Sequence, residues 1–259
     1  SEPLTGRHYK FNLSPLSLAE ISRVVSPLDM KFNLQEALIF GTYPEVFKLP
    51  TANEKIEHLR MLSDAYLYKD ILQFHLIKNS QKVRELLIAL ALQIGNEVSY
   101  SELANTVGVD RKTVESYIDL LEKSFVVFRL FGFSRNLRSE INRKVKIYFC
   151  DTGIRNMLIN NFNDFTKRSD TGAIFENFVV SEMVKREINK EQQANYYFWR
   201  TYDQKEIDLI SEKNGKINAY EIKLKKPGKI SSFLLFKKLY PGSETRVITL
   251  DNVLEEIGE

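Results

Sequence analysis

The amino-acid sequence predicts an α+β protein of several domains, with a helical first half and a last domain built on a β-sheet. Apolar residues recur at helical spacing in the first half, as Ile56, Leu59 and Leu62 do. After residue 125, short β-rich segments alternate with turns and helices. The clearest of these segments flank Asn214-Gly215, a dipeptide typical of type I′ hairpin turns, which need positive φ at both central residues.

The composition is that of an ordinary globular protein. The chain has 259 residues, of which 43% are hydrophobic and 27% charged, and its net charge is +3. Its single cysteine, Cys150, excludes an internal disulfide and a cysteine-based zinc site, and we expect it in a strand as a small buried side chain. No apolar run reaches the roughly 20 residues of a membrane span, and no signal peptide is visible. We therefore expect a cytoplasmic protein with no membrane partner.

The first 80 residues are predicted to form a linker and a helical collar. Residues 1–30 are predicted to be a linker, since residues 1–20 are rich in turn formers, and Ser14-Pro15 indicates the start of a helix. Residues 31–80 are predicted to hold helices over 34–40 and 53–77, separated by a break at Tyr43-Pro44. We interpret this part as a packing element rather than as a site.

Residues 81–150 indicate a winged helix. A helix over 83–94 is followed by Ser99 and Glu102, a capping box that opens a short helix ending at 107. Asp110 then caps a helix over 111–123, in the position of a recognition helix. Two β-rich segments, 125–133 and 144–149, flank a basic loop, SRNLRSEINRK, which we interpret as the wing.

Two parts of this module are candidates for DNA contact. Arg111 and Lys112 begin the recognition helix, although Glu115, Asp119 and Glu122 on the same helix repel phosphate. The wing is more basic, because Glu140 alone opposes its five cations, Arg135, Arg138, Arg143, Lys144 and Lys146. Winged helices also dock proteins. We favour DNA contact, to which the wing contributes more than the recognition helix.

The last domain is predicted to span residues 151–259. Asp151 is predicted to cap the helix of DTGIRNML, and the polar residues 160–171 to form a mobile connector. A helix over 173–186 carries Glu176, and a strand over 195–200 with Trp199 in the core comes next. The hairpin, a helix over 231–239 and a strand over 246–250 complete the order αβββαβ.

The hairpin register gathers charged side chains on one face. Counting outward from the turn sets Asp208 opposite Glu221 and Glu206 opposite Lys223. Like charges directly opposed across strands are destabilising, and a hard cation such as Mg²⁺ bound between the carboxylates would relieve this. An ordinary ion pair between Glu206 and Lys223 on a charged edge strand is the alternative.

Asp208 followed by Glu221-Ile222-Lys223 on the next strand resembles the motif of the PD-(D/E)-x-K nucleases. The resemblance implies a restriction-endonuclease-like core and Mg²⁺-dependent hydrolysis of a phosphodiester, with Mn²⁺ as a substitute. It implies that Asp208, Glu221 and the carbonyl of Ile222 hold the ion. Glu176 would hold a second ion or a water, and Lys223 would assist the attacking water.

Several segments also resemble the region that follows the ATPase core in a bacterial and archaeal family of AAA-type ATPases. They are LTGR, FGTYPEVF, AYLYKDI, YFCDTGIRN, GAIFENFVVSEM and AYEIKLKK, and together they cover essentially the whole chain. The resemblance implies that residues 1–30 are a remnant of the link to a missing ATPase domain. It makes that domain a partner and leaves oligomerisation through it open. Nothing matches G-x-x-x-x-G-K-[ST], so we expect no ATP binding.

A basic surface follows the hairpin and suits a phosphate backbone, with an affinity that falls with salt. Its members beyond Lys223 are Lys225, Lys226, Lys229, Lys237 and Lys238. Arg200 is a further candidate for phosphate contact. DNA is the expected partner, and RNA stays open. We expect a Mg²⁺-dependent nuclease domain with a DNA-positioning winged helix. The alternative is a non-catalytic binding and assembly module of the ATPase, which the acidic recognition helix favours.

Overall fold

A computed structural model describes residues 13–26, 29–65, 79–134, 145–189 and 194–257. Within these ranges the chain forms eleven α-helices and one mixed sheet of seven strands, which confirms the predicted α+β class. None of the helices in these ranges has the length and apolar character of a transmembrane span.

The described residues contain the following helices and strands. The helices are α1 (Leu18–Ile21), α2 (Met30–Phe40), α3 (Pro44–Lys48), α4 (Ala52–Ala65), α5 (Ser80–Leu92), α6 (Tyr100–Val107), α7 (Arg111–Lys123), α8 (Thr152–Leu158), α9 (Thr171–Asn189), α10 (Ser231–Leu239) and α11 (Val253–Ile257). The strands are β1 (Glu97–Val98), β2 (Val127–Gly132), β3 (Val145–Phe149), β4 (Asn195–Arg200), β5 (Glu206–Lys213), β6 (Lys216–Ile222) and β7 (Glu244–Ile248).

Most elements start and end close to the predicted residues, and capping side chains explain two of the exceptions. Helix α1 begins after Ser17, which caps it, rather than at Ser14-Pro15. Strand β7 ends at Ile248 rather than at residue 250, because the Asn252 side chain binds the backbone of Thr249 and Val247 and turns the chain. The continuation of α4 toward residue 77 and the loop of the predicted wing lie outside the described residues.

One sheet joins the predicted winged helix to the predicted last domain. The strand order is β1-β3-β2-β4-β5-β6-β7. Strand β2 pairs in parallel with β4, through Phe131 opposite Tyr197 and Gly132 opposite Phe198. Strands β1 and β3 pair on the far side of β2, so side chains from both regions share the same sheet face.

The hairpin β5–β6 has the register predicted from its turn. Asn214 and Gly215 have φ values of 51° and 76°, as a type I′ turn requires. Lys213 pairs with Lys216, and the pairing continues outward as far as Leu209 opposite Tyr220.

Three apolar clusters hold these layers together. The first lies among α4 to α8, β2 and β3, and includes Leu86 and Ile118. The second packs α9 against the sheet and also buries Leu18 and Ile21 of α1. The third lies under α10 and contains Trp199, a residue that is 4% exposed and therefore belongs to the core as predicted.

The connector before α9 is held in place by ion pairs rather than being a mobile link, which corrects the expectation for residues 160–171. The Asp170 carboxylate accepts hydrogen bonds from Arg155 Nη1 at 2.5 Å and from Arg168 Nε at 2.9 Å. Both arginines are buried, and Arg155 Nε also donates to the carbonyl of Ala91 on α5. Burial alone would raise the pKa of Asp170, but the two guanidinium groups lower it to about 2.

We expect Asp170→Asn to lower the free energy of unfolding by about 3 kcal/mol at pH 7, because two buried guanidinium groups lose their counter-charge. The pKa of Asp170 is lower in the folded than in the unfolded chain. Its stabilisation is therefore complete above about pH 4 and is lost as the pH falls toward about 2. Urea unfolding at pH 7 and pH 3 measures this, and the difference between the wild type and the variant should be smaller at pH 3 without vanishing.

The matched control for this substitution is Glu57→Gln, on an exposed face of α4, where Arg60 Nη1 lies 3.5 Å from the carboxylate. It should change stability by less than about 0.5 kcal/mol. Equal stability of Asp170→Asn and the wild type at pH 7 would contradict the role given to this carboxylate.

Candidate functional site

The two hairpin strands separate where Asp208 and Glu221 lie. The paired part of the hairpin ends one residue earlier, at Leu209 opposite Tyr220. Beyond it, the N–H of Ile222 donates to Asp208 Oδ2 at 2.7 Å, and the N–H of Lys223 donates to the carbonyl of Ile248 on β7. The Asp208 side chain therefore spans the fork, and its orientation is fixed by the backbone of the neighbouring strand.

Lys223 connects the two carboxylates at this fork. Its Nζ lies 3.1 Å from Asp208 Oδ2 and 2.9 Å from Glu221 Oε1. The lysine side chain is 44% exposed, whereas both acids are largely buried. These three predicted site residues lie together, with one end of the cluster open to solvent.

The Glu221 carboxylate is buried next to other negative charges that Lys223 only partly compensates. Burial raises the pKa of Glu221 to about 7, the carboxylates of Asp208 and Glu176 add to the effect, and Lys223 opposes it. Its Oε2 atom is buried without a hydrogen-bond partner among the described residues. A cation at this oxygen would relieve both conditions, since buried acceptors are rarely left unsatisfied.

Glu176 faces the sheet from α9. Its Oε1 accepts hydrogen bonds from the Tyr148 hydroxyl at 2.6 Å and from Lys146 Nζ at 3.2 Å. The neighbouring Asn177 fixes the helix against β3 by bonding both the N–H and the carbonyl of Phe149. Burial raises the pKa of Glu176, opposed by Lys146 and reinforced by Asp208. The helix carboxylate is therefore close enough to interact with the hairpin acids.

Lys146 is buried beside Glu176, which corrects its assignment to the basic wing. It is 2% exposed, and its Nζ lies 2.5 Å from Glu206 Oε1. Alternation along KVKIYF places Lys146 and Tyr148 on one face of β3, so the sequence alone indicated that these two side chains share a face. Glu206 correspondingly pairs with Lys146 and not with Lys223, because the strands have already separated at this level.

Arg200 is occupied by ion pairs within the sheet. Its guanidinium lies 2.9 Å from Glu97 of β1 and 3.6 Å from Glu206, and it also contacts Gln204. A phosphate contact by Arg200 would have to compete with these partners. Glu97 in turn pairs with Lys146 in the strand register, so β1 closes this side of the cluster.

The predicted nucleic-acid contacts differ in how accessible they are. Arg111 and Lys112 are exposed at the start of α7, with Arg111 bonded to Glu115 at 2.9 Å. Asp119 and Glu122 are both bound by Arg129, which reduces the repulsion that they were expected to exert on phosphate. The exposed residues Lys225, Lys226 and Lys229 form no ion pair within the described ranges. The wing residues Arg135, Arg138, Arg143 and Lys144 lie outside those ranges.

The acids are arranged in pairs rather than in a ready-made cage. Over the part of the chain that the structure describes, no three Asp, Glu, His or Cys side chains are close enough to hold a metal ion together. The pair at the fork, with the unpartnered oxygen of Glu221, fits one hard cation that keeps waters as its remaining ligands. Ile222 contributes its N–H to Asp208, and its carbonyl stays a predicted ligand.

A separate cavity of about 380 Å³ lies elsewhere in the fold. Pro15, Tyr43 and Pro44, with Phe125 and Phe128, form much of its apolar wall. Its lysine, Lys185, already donates to Glu182 and Thr42. Cys150, which follows β3 instead of lying within a strand, also borders it, and burial raises the pKa of that thiol to about 12. The cavity shares no residue with the carboxylate cluster.

Fold and site together define a class of mixed α+β protein with a carboxylate–lysine cluster at the open end of a central hairpin. The chain belongs to the family described as domain of unknown function DUF8612, whose model matches residues 31–164. Residues 171–257, which contain the hairpin and its acids, match a second family model, domain of unknown function DUF4143.

The chain is also similar to curated proteins from an archaeon and from bacteria. An uncharacterized protein of Methanocaldococcus jannaschii is 24% identical over 223 residues, which cover 80% of this chain and 48% of that protein. An uncharacterized protein of Mycobacterium tuberculosis is 25% identical, covering 86% of this chain and 48% of its own length. One from Haemophilus influenzae is 23% identical, with 86% and 55% covered. The chain spans about half the length of these relatives. No solved structure matches it significantly.

Proposed function

We propose that this chain binds DNA and carries a Mg²⁺-dependent site for phosphodiester hydrolysis at the hairpin fork. The observation that carries the proposal is the contact of Lys223 with both Asp208 and Glu221, beside a buried Glu221 oxygen that has no partner among the described residues. A lysine and two acids in this arrangement supply the groups that metal-assisted hydrolysis uses.

The order of elements supports a restriction-endonuclease-like arrangement for the last domain. Helix α9 is followed by β4, β5 and β6, then by α10 and β7. Asp208 lies on β5 and Glu221 on the adjacent β6, as in the motif that the sequence resembles. The proposal includes a place for this chain in a longer protein. The chain would be the C-terminal part of an AAA-type ATPase, because the segments quoted above resemble that region.

In the proposed site Asp208 and Glu221 hold one Mg²⁺, for which Mn²⁺ can substitute. When bound, the ion supplies a Lewis acid and a water whose pKa is lowered. Lys223 orients that water and donates hydrogen bonds to phosphate oxygens that become more negative during hydrolysis. The Ile222 N–H keeps Asp208 in place, because it binds one carboxylate oxygen and leaves the other one for the ion.

The exposed lysines bring the nucleic-acid backbone to this site. Lys225, Lys226 and Lys229 follow Lys223 directly, in the segment between β6 and α10. Their charge contacts phosphate without reading bases, so binding is electrostatic and weakly sequence-selective. Arg111 and Lys112 at the start of α7 add a second contact region, in the position of a recognition helix. RNA presents the same backbone charge.

A second candidate function is a non-catalytic binding and assembly module of the ATPase. The observation that favours it is the burial of Lys146 between Glu176 and Glu206, because this ammonium neutralises two of the acids without a metal. In this case the cluster would serve the stability of the fold only. The protein would then bind nucleic acid or another protein domain without cleaving it.

Asp208→Asn and Lys223→Ala should each lower the rate of Mg²⁺-dependent DNA cleavage by about 10²–10⁴-fold and leave DNA affinity nearly unchanged. Asp208→Asn keeps the side-chain shape and removes the charge that holds the ion, and Lys223→Ala removes the group beside the water. Cleavage of supercoiled and single-stranded DNA under single-turnover conditions, with binding measured in parallel, tests this.

The matched controls are Asp203→Asn and Lys216→Ala, which remove the same charges at exposed positions outside the carboxylate cluster. Both should cleave within about threefold of the wild type. Full activity of Asp208→Asn would place the reaction elsewhere. No cleavage of any substrate by the wild type, with either Mg²⁺ or Mn²⁺, would favour the binding module.

Replacing Lys225, Lys226 and Lys229 together by Ala should weaken binding to all DNA sequences alike. The slope of log affinity against log salt should become shallower by roughly 2–3, since each lost phosphate contact contributes about 0.9. Fluorescence anisotropy from 50 to 300 mM salt measures the slope. A triple variant at Lys48, Arg60 and Lys167, with the same change of net charge, should keep the wild-type slope. Unaltered salt dependence in the first variant would show that DNA binds another surface.

A further inference from the structure

We propose that the ammonium group of Lys146 occupies the place of a second metal ion, so that the carboxylate cluster binds one divalent cation per chain. The inference rests on the proposed function, because it concerns how many ions the same cluster holds. It assigns the single ion to Asp208 and Glu221, and it assigns Glu176 and Glu206 to Lys146.

The position of Lys146 is that of a bridging cation. Its Nζ lies 3.2 Å from Glu176 Oε1 and 2.5 Å from Glu206 Oε1, so it joins a helix carboxylate to a strand carboxylate. The Tyr148 hydroxyl donates to the same Glu176 oxygen at 2.6 Å, and Nζ lies 5.5 Å from the centre of the Phe198 ring. Glu176 and Glu206 are therefore already bound by Lys146 and Tyr148, and they are not available as ligands of a second ion.

The charge balance of the cluster leaves room for one divalent ion. The four carboxylates of the cluster face two ammonium groups, which leaves an excess of two negative charges. The acids are Glu176, Glu206, Asp208 and Glu221, and the cations are Lys146 and Lys223. Arg200 and Glu97 at the margin balance each other. A single divalent cation neutralises this excess, or leaves one negative charge if Lys223 turns to solvent. A second ion would leave the buried cluster positively charged in both cases, which is costly.

The two lysines differ in whether they can leave their carboxylates. Lys146 is 2% exposed and lies on β3 between two other strands, with its backbone paired to Glu97 of β1 on one side and Leu130 of β2 on the other. An ion could displace it only by burying its charge elsewhere. Lys223 is 44% exposed at the end of β6, so its side chain can turn to solvent or to phosphate and leave the Asp208–Glu221 pair to an ion.

The test is the stoichiometry of Mn²⁺ binding, measured without substrate by calorimetry and by the loss of the free-ion signal in electron paramagnetic resonance. Wild-type protein should bind one Mn²⁺ per chain, and Lys146→Met should bind two. Without metal, Lys146→Met should melt at a temperature lower by roughly 10 °C, because Glu176 loses its counter-charge and Glu206 is left with Arg200 at 3.6 Å. Saturating Mn²⁺ should restore most of that loss.

Two controls separate this role from a general effect of removing a lysine that pairs with a carboxylate. Lys82→Met removes a lysine that pairs with Glu85 outside the cluster, and it should still bind one ion. Lys146→Met combined with Glu206→Gln removes one carboxylate of the second pair, leaves Glu176 alone there, and should return the stoichiometry to one.

Each result has a distinct meaning. Two ions in the wild type, or one ion in a folded Lys146→Met protein, would overturn the inference and leave the proposed hydrolytic site standing. No ion in the wild type, or one that Asp208→Asn does not abolish, would overturn the proposed site itself. If Lys146→Met does not fold even with Mn²⁺, the wild-type stoichiometry decides, because one ion supports the inference and two contradict it.

Discussion

The concentration of carboxylates at the open end of the β5–β6 hairpin is the constraint on which the site depends. Two pairs of acids meet there, and three of the four carboxylates are at most 15% exposed. Uncompensated buried charge costs several kcal/mol for each ion. The chain meets this constraint with two lysines of different character. Lys146 is enclosed and joins Glu176 to Glu206, whereas Lys223 is half-exposed and joins Asp208 to Glu221. The first pair is thereby structural, and the second is left able to accept a ligand.

The shared sheet makes this arrangement possible. Because β2 pairs with β4, strand β3 brings Lys146 and Tyr148 from the predicted winged helix over the acids of the last domain. The ion pair between Glu97 and Arg200 crosses the same boundary. The part of the chain proposed to position DNA and the part proposed to hydrolyse it are thus joined through the candidate site. Disturbing the contact between them would alter the site as well as the fold.

The turn dipeptide and the alternation of side chains along a strand were enough to predict the Asp208–Glu221 half of this site. The Asn214-Gly215 turn sets the register, and alternation then places Asp208 near Glu221 without any knowledge of distant residues. Lys146 was misassigned because its role follows from the pairing of β2 with β4, which joins segments far apart in sequence. The order around Asp170 was missed for the same reason, since the buried arginine that binds it also reaches Ala91 on α5. Charge counting alone does not distinguish a solvated lysine from a buried one.

The most direct measurement is an anomalous difference map from crystals of the protein soaked in Mn²⁺. A single metal site at the hairpin fork is the central claim. It predicts one strong peak within about 2.5 Å of carboxylate oxygens of both Asp208 and Glu221, with the Lys223 ammonium displaced from between them. It predicts no peak between Glu176 and Glu206, where Lys146 should remain. A map without a peak at the fork, in crystals that open this face to solvent, would contradict the account.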